Sequence, residues 1–230
     1  DPWVSIAPNG DVYQIALPFD YRRDLNVAVT VSRSRDHGDT WSEPYTLLLD
    51  TDPEFSDDKQ SITADPQNFR RVYAVWDRLD YGPNLTGYTA PIWFSRTTNA
   101  GDSWERARPI YEPGANAGTI GNQIVVLPDG TLVNAFTLFE DGGNGVSVAI
   151  IRSTNKGVTW SAPIFINSEQ AIGILDSKTS EPVRSGQGVP AIAVDPEKGT
   201  LYVVWQDARF SGLLRDGVIL SKSVNGGLTW

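Results

Sequence analysis

The chain has 230 residues, with 28 Asp and Glu against 19 Lys and Arg, a formal charge of −9 and no cysteine. At 40% hydrophobic and 20% charged, its composition is that of a folded globular protein and excludes a disordered one. The acidic balance argues against non-specific nucleic-acid binding, and the missing thiols exclude disulfides, thiolate zinc sites and cysteine nucleophiles. No apolar run nears the ~20 residues of a membrane span, and none reads as a signal peptide.

Short β-branched and aromatic runs bounded by Gly, Pro, Asn and Asp predict strands, and they come in groups. The first group is Trp3 to Ala7, Val12 to Leu17, Val27 to Ser32 and Tyr45 to Leu49. The second is Ser61 to Ala64, Val72 to Trp76, Ile92 to Ser95 and Pro109 to Tyr111. The third is Ile124 to Leu127, Leu132 to Phe136, Val146 to Ile151 and Ile164 to Ile166. The fourth holds Ala191 to Val194, Leu201 to Trp205 and Val218 to Ser221. Pro8-Asn9-Gly10, Asp65-Pro66, Pro128-Asp129-Gly130 and Asp195 to Gly199 supply the tight turn between the first two strands of each group. There is no helical pattern of note and no phosphate-binding glycine loop.

After the third strand of every group comes one eight-residue segment. The four copies are Ser34-x-Asp36-x-Gly38-x-Thr40-Trp41, Thr97-x-Asn99-x-Gly101-x-Ser103-Trp104, Ser153-x-Asn155-x-Gly157-x-Thr159-Trp160 and Ser223-x-Asn225-x-Gly227-x-Thr229-Trp230. A basic residue precedes each: Arg33, Arg96, Arg152 and Lys222. The chemistry is that of a folded turn. Asp or Asn accepts bonds from nearby amides, Gly supplies a positive φ, and the indole covers the hairpin. Three of the four copies carry Asn, which cannot act as a general acid or base, so these residues are structural. Four antiparallel strands per repeat describe a propeller blade.

The segment resembles the Asp-box, or bacterial neuraminidase repeat, of the sialidase superfamily, and the resemblance extends over the whole chain. It implies an all-β propeller of four-stranded antiparallel blades, with about four blades spanning residues 1–50, 51–112, 113–167 and 168–230. Six blades at this spacing need roughly 360 residues, so the chain reads as part of a larger propeller, or as one closed by missing blades or by self-association. The resemblance also implies an extracellular or periplasmic location and a carbohydrate ligand.

The strand order puts the short turns and the repeated segments on one face and the long connections on the other, which is where function is expected. Those long loops hold 17 of the 28 acidic residues and 8 of the 19 basic ones, a balance of 8 − 17 = −9, so the net charge falls on this face. Solvated acidic loops, a cation site and a glycosidase cleft all fit that balance. Candidate catalytic carboxylates are Asp77, Asp207, Glu140 and Asp58, the last beside Asp57 and Lys59; Asp141 follows Glu140. Trp76 with Arg78, and Trp205 with Arg209, set an aromatic surface and a guanidinium at matching strand ends for substrate binding, and Arg184 joins them. Asp77 with Arg78 and Asp207 with Arg209 read equally as loop-ordering ion pairs.

A sialidase needs three arginines, a Tyr nucleophile with its Glu, and an Asp acid/base. The Arg-Ile-Pro segment that supplies the first arginine of that family is absent here. No local motif singles out Arg78, Arg184 and Arg209 as a triad, or Tyr81 or Tyr88 as a nucleophile. The expectation is therefore a sialidase-like glycoside hydrolase, or a fragment of one, using carboxylates of the long-loop face. The alternative is a non-catalytic carbohydrate- or protein-binding propeller. No cofactor is expected, although calcium at the Asp50, Asp52, Glu54, Asp57, Asp58 run is possible chemistry. Asn84-Leu85-Thr86 is a glycosylation sequon, and His37 falls on the face opposite the long loops.

Overall fold

The computed structural model describes residues 2–20, 26–83, 87–140 and 145–230. The sequon at residues 84–86 and Asp141 lie outside the described residues. The chain is all-β. β1 (Trp3–Ile6), β2 (Val12–Ala16), β3 (Val27–Ser34) and β4 (Tyr45–Asp50) form the first antiparallel unit in sequential order. In the second, β5 (Phe55–Ala64) pairs with β6 (Val72–Asp80), which pairs with β8 (Ile92–Thr97) and then β9 (Arg108–Tyr111). The two-residue strand β7 (Thr89–Ala90) bonds β6 on one side and runs parallel to β10 (Ala117–Val126) on the other. It thereby joins the second unit to the third, which continues through β11 (Leu132–Glu140), β12 (Gly145–Ser153) and β13 (Ile164–Ser168). A small hairpin of β14 (Ile174–Leu175) and β15 (Pro182–Val183) precedes the fourth unit, β16 (Ala191–Val194), β17 (Leu201–Asp207) and β18 (Gly217–Ser223).

There is one apolar layer per seam between units. Tyr13, Ile15, Val29, Ile62, Ala74 and Trp76 fill the first seam. Tyr73, Phe94, Ile124, Leu132, Phe136 and Ile151 fill the second. Val133, Val148, Ile150, Leu201, Val203 and Trp205 fill the third. The burial patterns follow from this arrangement. In the sandwiched second and third units both strand faces are covered, so Val72–Asp80 begins with six consecutive buried residues. In β17 only one face packs, and buried and more open residues alternate.

The first strands of the units stand side by side and are stitched by side-chain hydroxyls. Ser5 Oγ accepts from the Ala64 N–H (2.9 Å), while Ser61 and Thr63 donate to the carbonyls of Asn122 and Ile124 (both 2.8 Å). Predicted and observed strands agree to within two residues except on the long-loop face, where the strands run on into segments expected to be loops. Phe55–Lys59, Asp77–Asp80, Ala117–Asn122 and Thr137–Glu140 all lie inside strands. Their polar side chains hide the apolar alternation, but each is paired across the ladder or bonded across a seam.

On the opposite face the four repeated segments fold alike. The first hydroxyl accepts from the glycine N–H at 2.8 to 2.9 Å and donates to the Asp or Asn oxygen at 2.7 to 2.9 Å. That oxygen in turn accepts the seventh residue's N–H at 2.9 to 3.1 Å. Not only the glycine but also the residue before it adopts a positive φ, namely 63° at His37, 62° at Ala100, 61° at Lys156 and 70° at Gly226. In the first two copies the preceding basic residue acts as a staple across the seam: Arg33 bonds Asp102 at 3.2 Å, and Arg96 bonds the Lys156 carbonyl. Tyr13 adds a bond to the Ala100 carbonyl at 2.9 Å.

Candidate functional site

Where the first strands converge, both β5 and β10 are interrupted by a bulge. The register shifts between Asp58 and Ser61 and, in the neighbouring unit, between Ile120 and Gln123. Lys59 and Gly121 occupy the matching left-handed positions, with φ of 47° and 78°. A bulge re-aims side chains and frees backbone, and such devices gather at functional rims. Here the two bulges open a cavity of about 270 Å³ between the first strands, lined by Trp3, Lys59, Gln60, Ser61, Asn122 and Gln123.

Directly below lies Asp77. It is 1% exposed and faces Asp58 in register across the β5–β6 ladder, so the two carboxyls share one side of the sheet. Thr119 Oγ1 donates to it at 2.8 Å, the Gly121 N–H at 3.1 Å and the Asn122 amide at 2.5 Å. The Asn122 oxygen accepts from the buried Asn134 amide at 2.6 Å. Burial pushes the Asp77 carboxyl well above the usual carboxylate range against these three donors, and the Asp58 charge adds to the rise. Asp58 is half-buried, and one of its oxygens accepts the Lys59 N–H at 2.8 Å. The arrangement is a buried acid of raised proton affinity beside a half-buried second acid, whose neighbour Lys59 lines the cavity.

The other expected residues fall into separate groups. Asp207 is 2% exposed and pairs with Arg209 at 2.8 Å while accepting from the Gln170 N–H and the Trp205 indole. Burial opposes its charge, but these donors hold its carboxyl below the usual range. Trp205, only 4% exposed, lies at an apolar groove of about 410 Å³ with Ile174, Val189, Gln206, Asp216 and Val218. Arg78 does not pair with its neighbour Asp77; both of its donors reach Asp50 of the first unit, at 2.6 and 2.7 Å. Trp76 is fully buried, its ring 6.4 Å from that of Trp93, so the sugar-stacking surface expected there is closed. It lies at a core position of a strand covered on both faces. Glu140 ends β11 on the side of Tyr111, whose hydroxyl it raises after burial has done so. Arg184 is exposed just after β15. Tyr81 and Tyr88 form a tilted ring pair at 6.4 Å. Among the described residues no three acidic or histidine side chains converge as a metal site.

Sequence reasoning missed Asn122, which lines the cavity, and Thr119 and Asn134, which bond Asp77 and Asn122; it noted Asp50 only as an acid of the possible calcium run, not as the partner of Arg78. Asn134 carried a signal, as a polar residue inside the run Leu132-Val133-Asn134-Ala135-Phe136 that is otherwise apolar.

A curved array of antiparallel units with a cavity where their first strands meet is a propeller-like fold, and solved structures share it. The chain is similar over its full length to a Hadza microbial sialidase, at 17% identity and a TM-score of 0.65, covering 45% of that chain. It is similar to a Trypanosoma rangeli sialidase mutant at 16% identity and 0.62, covering 36%. It is also similar to the Penicillium chrysogenum α-L-arabinanase solved with arabinobiose, at 12% and 0.61, where 88% of this chain covers 57% of that one. The chain thus spans about half or less of the sialidases it matches. No protein-family model and no curated protein matches the sequence. Among the described residues no helix is long and apolar enough to cross a membrane.

Proposed function

We propose that the chain is the sugar-handling part of a sialidase-like glycoside hydrolase, with its repeated segments serving as Asp-boxes and its four units as blades. The observation that carries this reading is the pairing of Asp58 with Asp77 beside the cavity between the first strands. Glycosidic hydrolysis uses two carboxyl groups of unlike proton affinity flanking the scissile bond. Asp77 is the member of raised proton affinity and Asp58 the more open one, next to Lys59 in the lining of the cavity. A fold shared with both sialidases and an arabinanase supports carbohydrate as the ligand and leaves the sugar to the site.

The test is Asp58→Asn in the full-length protein, assayed on a panel of aryl glycosides and by calorimetry with the same sugars. Loss of turnover by about 10²- to 10⁴-fold with binding retained is the expected result. Unchanged turnover in that variant removes Asp58 from the chemistry. A second reading, a non-catalytic sugar-binding propeller, is favoured by the three donors that occupy Asp77. It predicts no turnover in any variant and loss of binding in Asn122→Ala.

A further inference from the structure

On the opposite side of the second unit from Asp77 lies a second buried aspartate, Asp57, 7% exposed. It stands directly opposite Arg78 in the β5–β6 register, yet neither of its oxygens has a hydrogen-bond partner. The guanidinium it faces is committed across the seam, bidentate to Asp50 at the end of β4. Arg78 is also clamped between rings, 3.9 Å from the Phe55 centroid and 4.7 Å from that of Trp93. Two acids therefore compete for one arginine. The acid on the neighbouring unit holds it, and the acid on the next strand does without.

A buried carboxylate with no partner is costly, so Asp57 keeps its proton. Burial, and then the charge of Asp50, pushes its carboxyl up to about 7, against the pull of Arg78 and the Trp76 indole. Asp50, Arg78 and Trp76 are the groups that bear on it; β1 (Trp3–Ile6) and β10 (Ala117–Val126), also packed on β5, carry no charged side chain, and β2 and β3 bring Tyr13 and an Arg33 bonded to Asp11 and Asp102.

We propose that Asp57 is a proton-controlled latch for the seam between the first and second units. With its proton on, Asp57 leaves Arg78 to Asp50 and the seam is clamped. When Asp57 releases its proton to solvent, two carboxylates share the guanidinium and the clamp to Asp50 loosens. The latch lies two residues before Lys59, so its state bears on the bulge that lines the cavity between the first strands. It is independent of whether that cavity catalyses anything.

The test is carboxyl-detected NMR of the protein with ¹³C-labelled aspartate, with amide hydrogen exchange along β4 and β5 from pH 5 to 9. The expected result is an Asp57 titration near neutrality. Exchange at β4, corrected for the intrinsic pH dependence, should quicken about tenfold across the same midpoint. Asp57→Asn should abolish that step and keep the seam protected at pH 9. Asp50→Asn, by freeing Arg78, should move the Asp57 midpoint down by a pH unit or more. An Asp57 that titrates near 4 in the unaltered protein overturns the proposal. So does a β4 step that persists in Asp57→Asn, or an Asp57 midpoint indifferent to Asp50→Asn.

Discussion

The repeated turns and the wall of the second unit treat the aspartate carboxylate in opposite ways. On the face of the repeated turns Asp36 is half-buried at the surface, and the bonds it accepts from Thr40 and Ser34 hold its carboxyl down at about 2. On the face of the long connections Asp57 and Asp77 are buried in the walls of the second unit and pushed up. The difference is one of solvent and of task. A turn needs an acceptor for amides it cannot otherwise satisfy, and water keeps the charge affordable. A seam wall offers no water, so a carboxyl there keeps its proton unless a cation or several donors compensate. Repetition marks the first face and individuality the second, as expected if one face builds the scaffold and the other carries the ligand.

The comparison breaks most visibly at Asp77. Asp77→Ala leaves the Gly121 N–H and the Asn122 amide without their acceptor in a dry wall, while the Thr119 hydroxyl keeps the Ala90 carbonyl at 2.9 Å. At roughly 1–3 kcal/mol for each stranded donor, the expected loss of stability is about 4 kcal/mol in urea unfolding. Loss of under ~1 kcal/mol would mean that water enters the wall.

Asp57 reverses the sign. The unfolded chain gives up this proton near the ordinary value of 3.8 and the folded chain near 7, so the folded state binds the extra proton between. Stability therefore falls as pH rises through that window and is level above it. Asp57→Asn keeps the neutral shape and removes the dependence, so at pH 8 the variant should be the more stable by about 4 kcal/mol, and near pH 4 the two should coincide. Thermal unfolding at both pH values checks the crossing.

A smaller contrast lies within the turn face itself. Gly38 and Gly157 hold the same place in the repeat, with φ of 105° and 85°. A Cβ at Gly38 meets nothing within 4 Å, whereas at Gly157 it comes within 2.6 Å of the Phe94 ring. Gly38→Ala should thus cost the backbone strain alone, about 1 kcal/mol, and Gly157→Ala about 2–3 kcal/mol as the Phe94 layer shifts. Equal losses in denaturant titration would show that the first turn is as tightly docked as the third.

What could be read in advance follows the same division. The turn face was legible because its chemistry is local: Ser34, Asp36 and Gly38 bond within four residues of each other, so spacing encodes geometry. The strands were legible wherever apolar side chains alternate or run together. The cavity between the first strands was not. Asp77 was singled out from its place at a strand end, but its partners Thr119 and Asn122 lie more than forty residues away. Asp57 was noted only as the neighbour of Asp58 and as one acid in a row of five. Nothing local says that Asp50 rather than Asp57 would hold Arg78, because that depends on how two units meet.

The smallest expected effect tests how far the repeat is chemically uniform. In the first turn Thr40 donates its hydroxyl proton to Asp36, whereas in the others the Asn side-chain amide donates to the hydroxyl, as from Asn155 to Thr159 at 2.8 Å. Asp36→Asn reverses one bond and keeps the acceptor for the Thr40 N–H, so at pH 7 the unfolding temperature should stay within error of the unaltered protein. The difference should emerge only in acid. A carboxyl held below its ordinary 3.8 contributes stability that is present above that pH and lost as pH falls through about 2, and the amide has no such dependence. The variant's stability should therefore be flatter between pH 4 and 2. A marked loss at pH 7 would show instead that the charge on this turn serves the neighbouring cluster of Arg33, Arg35 and Asp102, and that the first turn is not interchangeable with the rest.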